Sequence, residues 1–479
     1  MIQDYISVGF YLFVAVLLVA YYVLPFRMRW CVLLAGSIGF YCLVAGKMVV
    51  VLFAMGIVSF GAALFLEKES DRGRQKVLRG KLFVSVAIIL VPFILTRTTL
   101  FGQLLRDRGL VAPLGISFFT LQIIAYLFDV AQKSPAEHNF FKYLLFISFF
   151  PQIVQGPIPR YGTLQKQLVE GHSFQEKGFV KGCMLIIWGF FLKMMIADKA
   201  GIVVDCVFEH HEMYQGSYVL VAGVLYSIQL YADFSGCVSI SKGVAALFGI
   251  RLQDNFRHPY FSTSIKEFWQ RWHISLSSWL RDYVYIPLGG NRKGKFRKYV
   301  NLVITFLVSG LWHGSGLNFL LWGMMHACYQ IGAVFCEPVR AKCYQIAGIR
   351  ENSGPWFFLK RLGCFFWVMF AWIVFRAERL SVAVQMIKSL FLVYNPWIIA
   401  DGSLLKLGLS GIEWAVLLFS VYVLYRVSTL QEKESVGDII LKQPFIVRWS
   451  IYIGAILLIY VFGTYGYGFD AKAFIYGGF

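Results

Sequence analysis

His313 sits inside an apolar stretch, in Gly310-Leu311-Trp312-His313-Gly314. Stepping back from it in fours meets Ser309, Thr305 and Asn301, so a helix through this stretch carries a line of hydrogen-bonding groups on one face. Ionisable groups at membrane depth are costly and commonly face a path or a reaction centre. A buried imidazole is neutral at pH 7, which is the state a general base needs. Gly314-Ser315-Gly316 follows and lets other backbone come close. A second histidine, His273, stands in Arg271-Trp272-His273-Ile274-Ser275. His326, in Trp322-Gly323-Met324-Met325-His326, reads as a packing residue, and His210-His211 as a solvated loop. No His-Glu-x-x-His run or other metal spacing occurs, so no metal site is expected.

The elements that hold these residues belong to a membrane protein. Of 479 residues, 58% are hydrophobic and only 15% charged, and 18% are aromatic. Soluble domains run closer to 45–50% apolar and about 25% charged, so disorder and an ordinary cytosolic enzyme are both excluded. Apolar runs near 5–26, 30–46, 49–66, 82–100, 114–131, 180–197, 217–235, 300–313, 317–336, 362–376, 412–426 and 447–464 are candidates for helices that cross a bilayer. The stretch 140–160 holds Pro151, Pro157 and Pro159 and is expected to be re-entrant. The first run follows Asp4 and lacks a small-residue cleavage site, so it reads as a retained helix rather than a signal peptide.

The net charge of +19 fits basic cytoplasmic loops better than nucleic-acid binding. Residues 67–81 carry Lys68, Arg72, Arg74, Lys76, Arg79 and Lys81 and are expected in the cytoplasm; counting from there puts 198–216 outside, 242–298 inside and both termini outside. The nine cysteines are scattered singly and read as buried small hydrophobes. From Ile265 to Tyr283 the apolar residues Phe268, Trp272, Leu276, Trp279 and Tyr283 recur at helical spacing, with Glu267, Arg271, Ser275, Ser278 and Asp282 opposite. That pattern predicts one amphipathic helix at the cytoplasmic interface, ended by Pro287-Leu288-Gly289-Gly290.

These residues also carry a resemblance. Glu267-Phe268-Trp269-Gln270-Arg271-Trp272-His273, Ser278-Trp279-Leu280-Arg281-Asp282-Tyr283 and Ile286-Pro287-Leu288-Gly289-Gly290-Asn291 resemble membrane-bound O-acyltransferases of the alginate O-acetyltransferase-like branch. So do Pro113-Leu114-Gly115-Ile116-Ser117-Phe118-Phe119-Thr120, Phe150-Pro151-Gln152 with Gly156-Pro157-Ile158, and Asp233-Phe234-Ser235-Gly236. Trp312-His313-Gly314, Phe370-Ala371-Trp372, Phe375-Arg376-Ala377 and Phe474-Ile475-Tyr476 extend the likeness over nearly the whole chain. The branch usually follows its Asp-Phe-Ser-Gly with Tyr-Ser-Asp, where this chain has Cys237-Val238-Ser239.

The resemblance implies an all-α polytopic fold, a multihelical body with a central tunnel and about 11–13 membrane segments, re-entrant and interfacial ones included. It implies one transmembrane domain over 1–479, with N-terminal helices in 1–131, middle helices in 132–240, a catalytic core in 241–378 containing the interfacial segment 251–298, and C-terminal helices in 379–479. His313 matches the embedded catalytic histidine and His273 the second, cytoplasmic-side one. Trp312, Ser309, Thr305, Asn301, Arg271, Trp272, Asp233 and Asn291 are the expected tunnel and substrate-binding residues. The implied donor is acetyl-CoA, a substrate rather than a cofactor, whose phosphates Arg292, Lys293, Lys295, Arg297 and Lys298 could attract. The implied partners are a polysaccharide acceptor, membrane lipids and a separate extracytoplasmic esterase-like transferase; no nucleic acid is expected. The setting is a bacterial inner or plasma membrane. D-Alanyl transfer to teichoic acid from a carrier-protein thioester is the alternative, and a non-enzymatic channel or flippase a remote one.

Overall fold

Among the described residues, each of the twelve apolar stretches lies mainly on helix and no strand occurs. The computed structural model describes residues 5–108, 113, 115–349 and 353–465. Asp4, Leu114 and Phe474-Ile475-Tyr476, used above, lie outside them. Among the described residues, seven helical runs are long and apolar enough to cross a membrane: Phe26–Asp71, Gln75–Thr96, Glu176–Glu209, Ser217–Leu247, Gly354–Arg376, Gly411–Gln431 and Phe445–Phe462. Leu317–Phe335 and Glu337–Ile346, bent by 53° at their junction, form an eighth if taken as one span. Val8–Val23 and Ile116–Ala131 are apolar but shorter. Leu380–Leu392 is a further amphipathic helix that the apolar runs did not reveal. The protein is a multi-pass, all-helical membrane protein.

The chain divides into two compact units. The described residues of one lie in 5–189 and 237–253, and those of the other in 190–236 and 254–465. In the first, Phe10, Phe40, Phe150 and Phe248 form an aromatic core. The proline-rich stretch is broken into Phe140–Ser148 and Phe150–Ile153, both too short to cross a bilayer. The break is buried, so its backbone must find partners inside the protein. Ser37 Oγ accepts from the Phe150 N–H at 3.1 Å, and Gln122 Nε2–H donates to the Phe146 carbonyl at 2.5 Å.

The second unit contains both candidate histidines. Its centre is a hairpin of Gly294–His313 and Leu317–Phe335, joined by three residues. The two helices approach through glycine: a Cβ on Gly310 would lie 2.4 Å from the Phe319 carbonyl oxygen, and one on Gly323 2.3 Å from that of Phe306. Gly354–Arg376 packs alongside, with Trp372 stacked on Trp322 at 5.8 Å. Of the nine cysteines only Cys237 and Cys364 are buried. Cys31, Cys42 and Cys328 instead lie on exposed faces of apolar helices, where lipid is a solvent as compatible with a thiol as the core.

Candidate functional site

His313 is the last residue of its helix and is 3% exposed. The helix stops there because Gly314 leaves it in extended backbone, its N–H still closing on the Gly310 carbonyl at 3.2 Å. The glycine contacts bring the next helix so close that Trp322 meets the imidazole edge-on at 5.1 Å, and Phe375 does the same from Gly354–Arg376. Asn301 and Ser309 are fully buried and Thr305 is 9% exposed, so the polar stripe faces the interior. Thr305 Oγ1–H donates back to the Asn301 carbonyl at 2.7 Å, and Asn301 Nδ2–H donates to the Gly290 carbonyl at 3.0 Å. Asn301 Oδ1 and Ser309 Oγ have no partner among the described residues.

The expected single helix over 265–283 is two. Ile265–Arg271 and Ile274–Leu280 are separated at His273, whose backbone is left-handed (φ 43°, ψ 54°), and a π-helical turn, Arg281–Tyr285, follows. The cause is Asn255, on a preceding extended segment. Its carbonyl accepts the Ile274 N–H at 2.9 Å, and its Oδ1 accepts both the Ser275 N–H at 3.0 Å and the Ser275 hydroxyl at 2.9 Å. Two residues further on, the Arg257 N–H donates to the Arg271 carbonyl at 2.9 Å. These bonds replace the helical ones that continuity would have made, and they bury Ser275, which the helical pattern put on the polar face.

The same Asn255 fixes the chemistry of His273. Because Oδ1 already accepts from Ser275, it is the acceptor for the imidazole too, so His273 Nδ1–H donates to it at 3.2 Å. The neutral ring then carries a lone pair on Nε2, which is buried with no partner among the described residues. Burial pushes the imidazole pKa down to about 3, with no carboxylate beside it to oppose the shift. The rings of His273 and His313 are linked through Trp312, which lies 6.0 Å from the first and 4.7 Å from the second. Phe234 closes the far side of His273, edge-on at 4.8 Å.

The other expected residues divide. Trp272 is buried between Phe268, stacked at 5.5 Å, and Trp372 at 5.2 Å. Asp233 is buried and pairs with Lys193 at 2.8 Å; Lys193 also reaches Asp198 at 3.0 Å. Asp198, expected in an outside loop, instead opens the helix Asp198–Glu209 with its side chain 9% exposed. Lys193 lies in a π-helical stretch, Phe191–Ala197, of the sort that often marks functional positions. Arg271 pairs with Glu267 at 2.9 Å and Glu432 at 3.4 Å at the partly exposed edge of the segment. Asn291 is exposed, its Oδ1 accepting from the Tyr285 hydroxyl at 2.6 Å, and is not brought to the histidines. Asn255, Trp322 and Lys193 were not singled out in the sequence. Only Lys193, a charge twelve residues into the apolar run that begins after Lys181, carried a signal. Among the described residues no three His, Cys, Asp or Glu side chains gather as a metal ion would require.

The buried His273 imidazole, with Nε2 unpartnered among the described residues, the His313 imidazole across one indole, and an aromatic surround are suited to proton transfer from a hydroxyl. The profile of the membrane-bound O-acyltransferase family, MBOAT, matches residues 44–375. A probable alginate O-acetylase of Pseudomonas putida is 37% identical over 70% of this chain and 64% of its own length. Another from Pseudomonas fluorescens is 34% identical over 86% of this chain and 79% of its own. A peptidoglycan O-acetyltransferase of Helicobacter pylori is 33% identical over 59% of this chain and 57% of its own. The match thus spans 64% of the Pseudomonas putida relative and less of the Helicobacter pylori one. The chain belongs to the membrane-bound O-acyltransferase family, and with it to a class of membrane acyltransferases.

Proposed function

We propose that this chain is an O-acetyltransferase of a bacterial plasma membrane. It takes acetyl from cytoplasmic acetyl-CoA and passes it across the membrane for O-acetylation of an extracytoplasmic polysaccharide, an exopolysaccharide or cell-wall glycan, through a separate esterase-like partner transferase. The observation that carries this reading is the buried His313 at the end of a polar helix face, one indole away from a neutral His273. The names of the relatives, which put acetyl on alginate and on peptidoglycan, support the substrate class.

His313 accepts the proton of the attacking hydroxyl, and His273, neutral and held by Asn255, orients the donor. The far end of the His313 helix begins with exposed Lys295 and Arg297 after Arg292 and Lys293. Cations at a helix N-terminus oppose the helix dipole and together form a strongly positive patch suited to phosphates. Lys298 is about 22 Å from His313 along the axis at 1.5 Å per residue, a separation that suits a thioester on a long thin arm.

The test is CoA release from radiolabelled acetyl-CoA by purified protein in liposomes. Release or transfer that vanishes in a folded His313→Ala variant supports the reading. Full activity in that variant overturns His313 as the base and leaves His273 Nε2 as the candidate. No release by wild type, with release from a carrier-protein thioester instead, overturns acetyl-CoA as the donor.

A further inference from the structure

Two buried hydrogen-bond donors on the helix that packs against His313 have no acceptor among the described residues. Trp322 and His326 stand one turn apart on the same face of Leu317–Phe335, and both are 0% exposed. The Trp322 ring lies 5.1 Å from the imidazole of His313 and 5.1 Å from that of His326. Trp322 Nε1–H has no partner among the described residues. For His326, Nδ1 accepts from Trp269 Nε1–H at 3.2 Å. A neutral ring so engaged keeps its proton on Nε2, and that N–H likewise has no partner among the described residues.

Packing accounts for the rings but not for the N–H groups. Trp322 stacks on Trp372, and His326 lies parallel to Phe306 at 5.9 Å, contacts that phenylalanine could make without stranding a donor in an apolar interior. Buried donors cost free energy unless an acceptor meets them. Two of them one turn apart on one helix face, the first against the candidate base, fit an oxygen that arrives with a ligand.

We propose that Trp322 Nε1–H and His326 Nε2–H bind the acyl carbonyl oxygen and stabilise it as it becomes an oxyanion. This rests on the reading of His313 as the base. The acceptor hydroxyl oxygen attacks the thioester carbon while its proton passes to His313. The C=O π pair moves onto the oxygen, where the two N–H groups hold it. The carbonyl re-forms as the C–S bond breaks, and the departing thiolate takes the proton back from His313, so no net proton or electron is used. The two donors are thus further catalytic residues, taking a thioester or ester carbonyl as ligand.

The variant that isolates the claim is Trp322→Phe, which keeps an aromatic ring and deletes the donor. With acetyl-CoA as probe, kcat for CoA release is expected to fall about 100-fold with KM changed less than about threefold, the split of an interaction made in the transition state. His326→Phe combined with Trp269→Phe, which leaves no stranded indole, is expected to do the same. A second readout needs no turnover. A trifluoromethyl-ketone analogue of acetyl-CoA hydrates to a tetrahedral centre, and wild type should prefer it to the plain ketone, with Trp322→Phe losing that preference by about tenfold. A Trp322→Phe enzyme with wild-type kcat, or one that keeps the preference, overturns this proposal alone. Activity retained by His313→Ala overturns the base assignment beneath it, and failure of wild type to bind either ketone overturns both.

Discussion

Asn255 and Ser275 are joined twice: the Asn255 side-chain oxygen accepts the backbone N–H of Ser275 at 3.0 Å and its hydroxyl at 2.9 Å. The same oxygen receives His273 Nδ1–H, so one buried amide sets both the helix break and the orientation of an imidazole. Asn255→Ala strands these donors, at about 1–3 kcal/mol each. It should lower the unfolding temperature in detergent by more than Ser275→Ala does, and reduce kcat. An Asn255→Ala protein as stable and as active as wild type would show that the break holds without it.

His273 gives the protein a sensitivity to acid. Its folded pKa is about 3, against about 6.5 when unfolded, so the unfolded chain binds the extra proton first. Its contribution is therefore complete above pH 6.5 and is lost at about 1.4 kcal/mol per unit as pH falls from there toward 3. His273→Asn, which tolerates the left-handed backbone, should flatten the acid limb of a thermal-stability profile between pH 6.5 and 4. His273→Val, β-branched at φ 43°, should also be destabilised at neutral pH.

The hairpin glycines are predicted to differ sharply from other helical glycines of the same unit. Gly310→Ala and Gly323→Ala drive a methyl into backbone carbonyls and should cost about 1–3 kcal/mol or more, with loss of activity as Trp322 shifts from His313. Gly332→Ala and Gly363→Ala, where an added methyl meets nothing within 4 Å, should be neutral or stabilising by about 1 kcal/mol. Thermal unfolding of the four variants tests the contrast.

The Lys193 cluster predicts an asymmetry. Lys193→Met leaves Asp198 and Asp233 buried without their shared cation and should cost about 3–5 kcal/mol, whereas Asp233→Asn leaves Lys193 still paired with Asp198 and should cost less. Expression and thermal stability in detergent decide it: equal losses would mean that the cluster acts as two separate pairs.

Hydropathy made the helices legible because a bilayer demands a long apolar run wherever a helix crosses. The stripe from Asn301 to His313 was legible for a similar reason, since its spacing is a property of one helix. What could not be read were contacts made at a distance along the chain. The break at His273 depends on Asn255, and helical periodicity across 265–283 ran straight through it. Asp198 looked like a loop residue because nothing local announces that Lys193, one turn earlier in a π-helical stretch, turns toward it and toward Asp233. Asn291 has the opposite lesson: it belongs to a motif-like run yet ends at the surface, bonded to Tyr285.

The glycine contacts between Gly294–His313 and Leu317–Phe335 bear on how anything reaches His313. At Gly310 and Gly323 there is less than a methyl group of slack, so these two helices behave as one rigid wall carrying His313, Trp322 and His326. Any rearrangement that admits a substrate then falls to what faces this wall, Trp372 and Phe375 on Gly354–Arg376, rather than to the wall itself.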